Sequence, residues 1–431
     1  MTFQSAIDYL YSRLPVFQNQ GTRAYKPGLS GITGLCQLLG NPHEQFKCIH
    51  VGGTNGKGST SHMLASVLQA AGYRVGLYTS PHLKSFTERI RVNGDEVVKK
   101  FVAEFVSQYA NYINSHKPSF FEVTVAMAFD YFAAQEIDIA VVEVGMGGRL
   151  DSTNIITPEV SIITNIGWDH MQYLGDSLSL IAHEKAGIIK PEVPLVVSEM
   201  PAPEVLGVFK STTRQMSSEL ILAANEYVVL SCVSNGYSQT VELRKTQDSS
   251  EYSFTLGLAG TYQIDNLKGV LCVLDILKKL GYNIELTAIE SGLAHVAATT
   301  GLKGRWQILS SKPVVIADTA HNLDGLKRTI EQFCAITANR LHFVLGFVAD
   351  KDVQKILSLF PIDASYYFCQ PSVHRAMAVG ELALKAEEVG LVGKIFRNVN
   401  EALSSAIENA SEHDAIYVGG STFVVADLEQ I

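Results

Sequence analysis

The stretch 50–58, HVGGTNGKG, has the residue types and the spacing that bind a nucleotide phosphate. The apolar run FKCI precedes it, and STSHML, which has helical spacing, follows it. Glycines let backbone N–H groups converge on phosphate oxygens, and the start of a helix adds partial positive charge. Lys57 would reach the outer phosphates, while Ser59 or Thr60 can contact Mg²⁺. Gly58, between Lys57 and Ser59, makes the spacing a variant of the common phosphate loop. The alternative explanation of the glycines, a tight turn that needs left-handed residues, would not require the lysine.

Other polar residues stand where apolar runs end. Glu143 ends the run AVVE, and an acidic residue at the carboxyl end of a buried strand is well placed for Mg²⁺. Asp318 follows PVVIA in the same way, and His321 then begins a helical pattern. Lys185 lies in IAHEKAGIIK, where a lone helical lysine is usually solvated, but the apolar AGII that follows permits burial. These positions predict sites at the carboxyl ends of strands.

The composition narrows the class of protein. With 431 residues, two domains are expected, and 47% hydrophobic and 18% charged residues are typical of a globular chain. A formal charge of −9 argues against a nucleic-acid partner. We expect no membrane partner, because no apolar stretch is long enough to span a bilayer, and no signal peptide, because the N-terminus lacks its pattern. Six cysteines without a C-x-x-C pair favour reduced thiols and the cytoplasm.

The pattern along the chain predicts an α/β fold with mostly parallel sheets. Continuous Val/Ile runs alternate with helical segments up to about residue 200, as in a buried parallel sheet. The segment 220–258 alternates and contains Asn-Gly, which predicts a small antiparallel excursion within the first domain. A second strand–helix series starts near residue 300, after the glycine-containing TTGLKGRWQ. We therefore expect domains at 1–298 and 299–431.

An ordered set of motifs identifies a resemblance. LYTSPHL, ERIRVNG, FFEVTVAMAF, EVGMGGRLDSTN, TNIGWDHMQYLG, EKAGIIK, GRWQ and DTAHN follow the phosphate loop in this order. Together with the variant loop, they resemble the Mur ligase superfamily and, within it, the folylpolyglutamate synthase family with its dihydrofolate synthase members, over about 45–430. The resemblance implies a P-loop NTPase-like domain followed by a Rossmann-like domain, with the active site between them. It also implies ATP-dependent ligation of glutamate to a pterin-linked carboxylate through an acyl phosphate.

The same resemblance implies roles for individual residues on the nucleotide side. ATP would be bound by Asn55, Gly56, Lys57, Gly58, Ser59, Thr60, Asn266, Arg305 and Asp318. Magnesium ligands would be Ser80, Glu143 and His170, and a carbamylated Lys185 would bind a second Mg²⁺. Catalytic roles fall to Lys57, Lys185 and His321, the last near the phosphates or the glutamate. Residue chemistry alone leaves Ser80 and Asn266 open as helix caps, and His170 as a loop histidine, since imidazole is not a preferred Mg²⁺ ligand.

On the substrate side, the resemblance implies a pterin site. Its residues would be Gly28, Leu29, Phe121, Glu122, Leu150, Asp151 and Ser152. An aromatic ring can stack on a pterin, and a carboxylate can pair with its amino–imino edge. The chain departs from the family where Ser30-Gly31 replaces the usual Glu-Arg, which affects the expected pteroate contacts in this loop. Dihydropteroate, tetrahydrofolate or both stay open as substrates, and a monomer is expected.

Two alternatives are a Mur-type UDP-muramyl amino-acid ligase and a regulatory P-loop NTPase. The first would use the same ATP and Mg²⁺ apparatus, but the phosphate loop begins too early to leave room for a separate UDP-binding domain. The second would need no ATP-contacting second domain, and DTAHN after a strand argues against it. Pterin- and glutamate-dependent ADP release separates the three.

Overall fold

The computed structural model describes residues 1–14, 28–349 and 352–431. Two compact units account for these residues. The first unit comprises Met1–Val233, Thr240–Gly257 and Ile264–Gly301, and the second comprises Ser234–Gln239, Leu258–Gln263 and Leu302–Ile431. The predicted domain boundary stays a prediction, and each unit is described by itself.

The elements up to residue 300 alternate between strands and helices. The strands are β1 Lys47–Gly52, β2 Val75–Tyr78, β3 Ile90–Val92, β4 Asp95–Glu96, β5 Ile139–Glu143, β6 Val160–Ile163, β7 Leu195–Val197, β8 Leu220–Leu222, β9 Tyr227–Ser234, β10 Gln239–Lys245 and β11 Glu251–Leu256. The helices are α1 Phe3–Arg13, α2 Ser30–Leu38, α3 Lys57–Ala70, α4 Lys99–His116, α5 Phe120–Ala134, α6 Met171–Leu174, α7 Leu178–Ala186, α8 Pro203–Gln215, α9 Ala223–Glu226, α10 Gln263–Lys279, α11 Leu286–Ala294 and α12 Val296–Thr300. Short 3₁₀ turns lie at Pro42–Glu44, Phe86–Arg89 and Ser152–Ile155.

The rest of the chain repeats the alternation. Its strands are β12 Gln307–Ser311, β13 Val314–Ala317, β14 Leu341–Leu345, β15 Ser365–Cys369, β16 Gly393–Phe396 and β17 Ala415–Gly419. Its helices are α13 Leu323–Cys334, α14 Val353–Leu357, α15 Val379–Glu388, α16 Val399–Asn409 and α17 Thr422–Asp427. None of the helices in the described part of the chain is long and apolar enough to cross a membrane.

The first unit is built on an eight-stranded sheet of order β4-β3-β2-β5-β1-β6-β7-β8. Strands β2, β5, β1, β6, β7 and β8 are parallel, while β3 and β4 extend one edge in antiparallel fashion. Because parallel strands end at the same edge, the segments that follow β1, β2, β5 and β6 start close together. This edge receives most of the predicted site residues.

Helices pack on the central strands of this sheet. Cys48 of β1, Tyr78 of β2 and Val142 of β5 share a core with Phe129 of α5 and Phe105 of α4. The phosphate-loop helix α3 packs against β1, β2 and β5 and against α11 and α12. It is buried on nearly all sides from Ser59 to Leu68, so its N-terminus is held firmly at the end of β1.

The second unit is a six-stranded sheet of order β12-β13-β17-β14-β15-β16. All neighbours are parallel except β12 and β13. Alternate residues face two cores: Phe343 and Tyr417 belong to one, and Val344 and Val418 belong to the other. Both faces of the parallel strands are therefore covered, as the continuous apolar runs of the sequence indicate.

The predicted α/β fold class with two sheet domains is confirmed, one local assignment is wrong, and one strand was not predicted. Leu220–Leu222 does not begin the excursion but pairs in parallel with β7 as the last strand of the large sheet. Only β9, β10 and β11 form the separate small sheet, in that order. The segment after GRWQ, assigned no structure from sequence, is strand β12. Strand β8 has only three residues and its partner β7 lies across helix α8, whereas β12 pairs with the adjacent β13 in an irregular register. Neither strand shows a clear alternation of apolar and polar residues, so periodicity does not reveal them.

Candidate active site

Close backbone approach explains two glycines of the phosphate loop. The loop runs from the end of β1 to Lys57, the first residue of α3. Gly53 has φ of +138°, and a Cβ there would lie 1.9 Å from Oγ1 of Thr164. Gly56 has φ of +84°, and a Cβ there would lie 2.3 Å from Oδ1 of Asn266. Asn266, predicted on the nucleotide side, therefore lies directly against the loop.

The segment after β6 holds the loop in shape. The N–H of Thr54 donates to the carbonyl of Asn165 at 3.0 Å, and the N–H of Asn55 donates to the side-chain Oδ1 of Asn165 at 2.9 Å. The hydroxyl of Thr164 donates to the carbonyl of Asn55 at 2.5 Å. Sequence reasoning missed Thr164 and Asn165, although the TN that ends the run SIITN is a detectable signal. These bonds fix the loop before any ligand arrives.

Two lysines converge on one backbone carbonyl of this loop. Nζ of Lys57 donates to the carbonyl of Gly53 at 3.2 Å and to that of Thr54 at 3.1 Å. Nζ of Lys185, in α7, donates to the same Gly53 carbonyl at 2.8 Å. The two ammonium groups thus lie beside the loop where phosphate oxygens are expected. Because the two lysines are far apart in the sequence, their convergence on one carbonyl could not be predicted from it.

Lys185 is almost fully buried, with 4% of its surface exposed. Burial, reinforced by the charge of Lys57, lowers the pKa of its ammonium to about 7, while Asp169 and Asp151 act in the opposite direction. A lysine in this state is partly neutral near pH 7 and hence nucleophilic. The solvated helical lysine that the sequence left open as an alternative is excluded.

The first turn of α3 holds a second polar feature. Ser59 and Thr60 are both buried, and Oγ1 of Thr60 has no hydrogen-bond partner in the structure. A buried hydroxyl without a partner is costly unless a ligand satisfies it. Its place, one turn into the helix that the phosphate loop opens, fits a phosphate oxygen or a hydrated cation.

Ser80 and Glu143 are brought together at the carboxyl ends of neighbouring strands. Glu143 lies opposite Val51 in the β1–β5 pairing, and its Oε2 accepts the N–H of Ser80 at 3.0 Å. The carboxylate is 5% exposed. A carboxylate and a hydroxyl are hard oxygen donors, which suit Mg²⁺.

His170 is placed by a different contact. It has φ of +51° before α6, its N–H donates to Oδ1 of Asp169 at 2.9 Å, and its Nε2 lies 3.8 Å from Oδ2 of the same residue. The described residues contain no cluster of three or more His, Cys, Asp or Glu side chains able to hold a metal.

The predicted pterin residues lie next to this edge of the sheet. The ring of Phe121 packs on Gly145, where a Cβ would lie 2.4 Å from the ring, and its centroid is 6.2 Å from that of Tyr78. Asp151 is buried, and its Oδ2 accepts the N–H of Met146 at 2.9 Å. Leu150 is half-buried and Ser152 is buried. Asp151 therefore holds the turn that follows β5.

Glu122 caps helix α5. Its Oε2 accepts the N–H of Ser119 at 2.6 Å, while its own N–H donates to Oγ of Ser119 at 3.1 Å. A Cβ on Gly31 would lie 2.0 Å from Oε1 of Glu122. The Ser30-Gly31 departure thus makes room for this carboxylate. Gly28 has φ of +125°, and Leu29 directly precedes α2 and packs on the core.

In the second unit, the candidate residues surround Asp318, which follows β13. One carboxylate oxygen accepts the hydroxyl of Tyr262 and the N–H of Trp306, both at 2.7 Å, and the other accepts the N–H of Ala320 at 2.8 Å. Burial raises the pKa of the Asp318 carboxyl, with the Tyr262 bond the largest opposing effect. Tyr262 was missed because a tyrosine far before the strand has no sequence signal.

Arg305 and His321 flank this carboxylate. Burial raises the pKa of the Asp318 carboxyl, and the positive charge of Arg305 acts in the opposite direction. Nη1 of Arg305 donates to the carbonyl of Gly304 at 3.3 Å. Nδ1 of His321 lies 3.1 Å from the carbonyl of Thr319. Asn322 caps the N-terminus of α13, its Oδ1 accepting the N–H of Gly325 at 2.9 Å.

Comparisons with known proteins agree with this geometry. The Mur ligase middle domain matches residues 51–274, and the Mur ligase glutamate ligase domain matches residues 304–422. The chain is 30% identical to the dihydrofolate synthase/folylpolyglutamate synthase of Bacillus subtilis, covering 99% of this chain and 98% of the relative. It is 31% identical to the Escherichia coli enzyme of the same name, covering 98% and 95%. The chain spans only 50% of the folylpolyglutamate synthase/dihydropteroate synthase of Haloferax volcanii.

Solved structures show the same fold. The Escherichia coli FolC structure in complex with DHPP and ADP superposes with a TM-score of 0.85 at 29% identity, covering 99% of this chain and 96% of that one. The Mycobacterium tuberculosis folylpolyglutamate synthase complexed with ADP gives 0.84 at 30% identity, with the same two coverages. The resemblance predicted from the motifs is confirmed, and neither alternative class is favoured.

Proposed function

Since the chain belongs to the dihydrofolate synthase/folylpolyglutamate synthase family of Mur-type ligases, we propose that it joins L-glutamate to dihydropteroate, to a tetrahydrofolate, or to both, with ATP. The γ-phosphate of ATP is transferred to the pterin-linked carboxylate, and ADP leaves. The glutamate amine then attacks the acyl phosphate carbon, the C–O bond to phosphate breaks, and the amine loses a proton. The reaction accumulates negative charge and needs cations rather than a covalent nucleophile.

The phosphate loop supplies the first of these cations. Lys57 is proposed to turn from the carbonyls of Gly53 and Thr54 to the outer phosphates of ATP, with the loop N–H groups and the start of α3 around them. The orphan hydroxyl of Thr60 supports this assignment. Asn266, which contacts Gly56, is proposed on the adenine side.

We assign magnesium to Ser80, Glu143 and His170. The hydrogen bond between Ser80 and Glu143, and the hard oxygen donors of both, support this set. When bound, Mg²⁺ supplies charge neutralisation at the phosphates. The protein itself contributes a buried carboxylate held at the end of β5, in a site where water is excluded and charges act strongly.

Lys185 is proposed to be carbamylated. Its neutral amine would attack the carbon of CO₂, form an N–C bond and release one proton, so that a cation becomes an anionic carboxylate. Burial and the pKa of about 7 support this step, since an ordinary lysine is protonated and unreactive at neutral pH. The carbamate would serve a second Mg²⁺ beside Lys57.

In the second unit, Arg305 and Asp318 are proposed to contact ATP, and His321 to lie near the phosphates or the glutamate. The carboxylate of Asp318 accepts the N–H of Trp306, which follows Arg305, and the N–H of Ala320, which precedes His321. These contacts support a role for Asp318 in holding the backbone next to both residues. Phe121, Glu122, Leu150, Asp151 and Ser152, with Gly28 and Leu29, are proposed for the pterin. The enzyme is proposed to act as a monomer in the cytoplasm, where its six free cysteines stay reduced.

The observation that carries the proposal is the convergence of Lys57 and Lys185 on the Gly53 carbonyl, one strand away from Glu143. The test is ADP release with ATP, each pterin in turn, and glutamate. We expect release to require both a pterin and glutamate. Dependence on a UDP-muramyl substrate would instead indicate the cell-wall ligase class, and slow release indifferent to both substrates would indicate a regulatory NTPase.

A further inference from the structure

His50 is a buried polar residue that the proposed mechanism does not use. It lies in the middle of β1 with none of its surface exposed, and its Nε2 is 2.9 Å from Oγ1 of Thr153. Its other ring nitrogen, Nδ1, is buried without a hydrogen-bond partner. An unpaired buried nitrogen destabilises a fold, and an apolar side chain would avoid that cost. The one bond that His50 makes therefore needs an explanation.

Thr153 links His50 to the turn after β5. The hydroxyl of Thr153 lies 2.5 Å from Oδ1 of Asp151, which also accepts the N–H of Thr153 at 3.0 Å. Oδ2 of Asp151 accepts the N–H of Met146 at 2.9 Å. The contacts form an unbroken line from β1 through Thr153 and Asp151 to Met146.

The direction of each hydrogen bond in this line follows from the donors present. Burial raises the pKa of the Asp151 carboxyl, but the N–H groups and the hydroxyl that its two oxygens accept favour the ionised form, which can only accept. The single proton of the Thr153 hydroxyl therefore goes to Asp151, and His50 must donate from Nε2. This fixes the tautomer with Nδ1 unprotonated. Burial, helped by the charge of Lys190, lowers the pKa of His50 to about 3, so the ring is neutral.

We infer that His50 is a positioning residue, which holds the 146–152 turn in register with the strand that leads into the phosphate loop. This inference rests on the proposed function, in which Leu150, Asp151 and Ser152 bind the pterin. Strand β1 ends at Gly52, two residues after His50 and directly before the phosphate loop. The same short strand therefore anchors the phosphate loop and, through His50, the 146–152 turn. Removing the Nε2 donor frees the Thr153 hydroxyl and loosens Asp151, without touching the phosphate loop.

Three substitutions of His50 separate positioning from packing. In His50→Gln the side-chain amide is long enough to place an N–H near the position of Nε2, whereas in His50→Asn it is one methylene too short. His50→Leu keeps the volume and removes the donor. We expect the KM for the pterin substrate to rise on the order of ten-fold in the Leu and Asn variants and to stay within about two-fold of the wild type in His50→Gln. The KM for ATP should stay unchanged in all three.

Three further variants, one of them a control, sharpen the test. Thr153→Val should raise the KM for the pterin substrate as His50→Leu does. Thr153→Ser, which keeps the hydroxyl, should have the wild-type KM. Ser161→Ala is the matched control, because Ser161 pairs with His50 in the sheet but donates to the carbonyl of Ile188 at 3.0 Å, away from the turn. It should leave the pterin KM unchanged.

The outcomes are distinguishable. If wild-type protein shows no pterin- and glutamate-dependent ADP release, the proposed function fails before the variants are compared. If wild type is active but the Gln, Asn and Leu variants have equal pterin KM values, or if the KM values for ATP and pterin rise together, His50 is a packing residue and the inference is wrong. If His50→Leu does not fold, as thermal unfolding would reveal, the comparison of Gln with Asn decides.

Discussion

The phosphate loop of the first unit and the Asp318 turn of the second both follow a parallel strand, yet they are built in opposite ways. In the phosphate loop, the amines of two lysines, Lys57 and Lys185, lie against a backbone carbonyl in a glycine-rich turn. In the Asp318 turn, a buried carboxylate gathers donors from Tyr262, Trp306 and Ala320. In the first region the lysine amines are bonded only to carbonyl acceptors that a ligand could replace, and in the second the carboxylate organises the backbone.

This difference separates side chains that are available to a ligand from a side chain that stabilises the surrounding backbone. A lysine that bonds only to loop carbonyls can exchange those bonds for phosphate oxygens at little cost, because both are acceptors. A carboxylate with three protein donors loses much more if it turns away. We therefore expect substitutions in the phosphate loop to affect chemistry strongly and stability weakly, and the reverse for the side chain that donates to Asp318, Tyr262.

The largest effect is expected for Lys57→Ala. Loss of the ammonium should lower kcat/KM on the order of 10³-fold, because charge on the transferring phosphate is no longer neutralised, while the melting temperature stays near the wild-type value. Lys100→Ala, at a lysine whose side chain is 83% exposed, is the control and should behave as wild type. Near-normal turnover in Lys57→Ala would show that the phosphate-loop assignment is wrong.

Lys185→Ala should cost on the order of 10²-fold in turnover. If the native group is a carbamate, acetate should restore part of the activity and bicarbonate none. Acetate should not help Lys57→Ala, which lacks a cation rather than an anion. In wild-type protein depleted of CO₂, activity should return faster at pH 8 than at pH 6, because the amine, with a pKa of about 7, must be neutral to react. An unmodified mass for active protein would contradict the carbamate.

Arg305→Ala should raise the KM for ATP and lower kcat together, with a combined loss of roughly 10- to 100-fold. Arg305→Lys, which keeps the charge but not the planar fork, should recover part of this loss. Pterin binding, followed by fluorescence, should be nearly unchanged. A collapse of pterin affinity in Arg305→Ala would show that this arginine serves another ligand.

The smallest effect on turnover is expected for Tyr262→Phe, which removes one donor from Asp318 and leaves the ring. The free energy of unfolding should fall by about 1–3 kcal/mol, and the KM for ATP should change only a few-fold. Tyr237→Phe, at a tyrosine that is 61% exposed, is the matched control for urea unfolding. A large kinetic loss without loss of stability would mean that the Tyr262 hydroxyl serves the ATP site and does not stabilise the turn.

Local pattern made much of the fold predictable. The Val/Ile runs, the glycines before Lys57 and the strand endings at Glu143 and Asp318 depend on nearby residues only, and they placed the main sheets and the phosphate loop. Strand β8 was not predicted as part of the large sheet because it is short and its partner lies across a helix, and β12 was not predicted because it is short and pairs with β13 in an irregular register. The contact of Gly31 with Glu122 likewise has no local signature.

By itself, the sequence determined the fold class, the family and the positions at which polar residues leave the strands, because these depend on periodicity and short motifs. Tertiary structure alone decided that Lys185 shares the Gly53 carbonyl with Lys57, and that His50 holds Asp151 through Thr153. The physical reason is that hydrogen bonding and desolvation depend on which distant groups are packed together. Only burial makes an ordinary helical lysine partly neutral near pH 7.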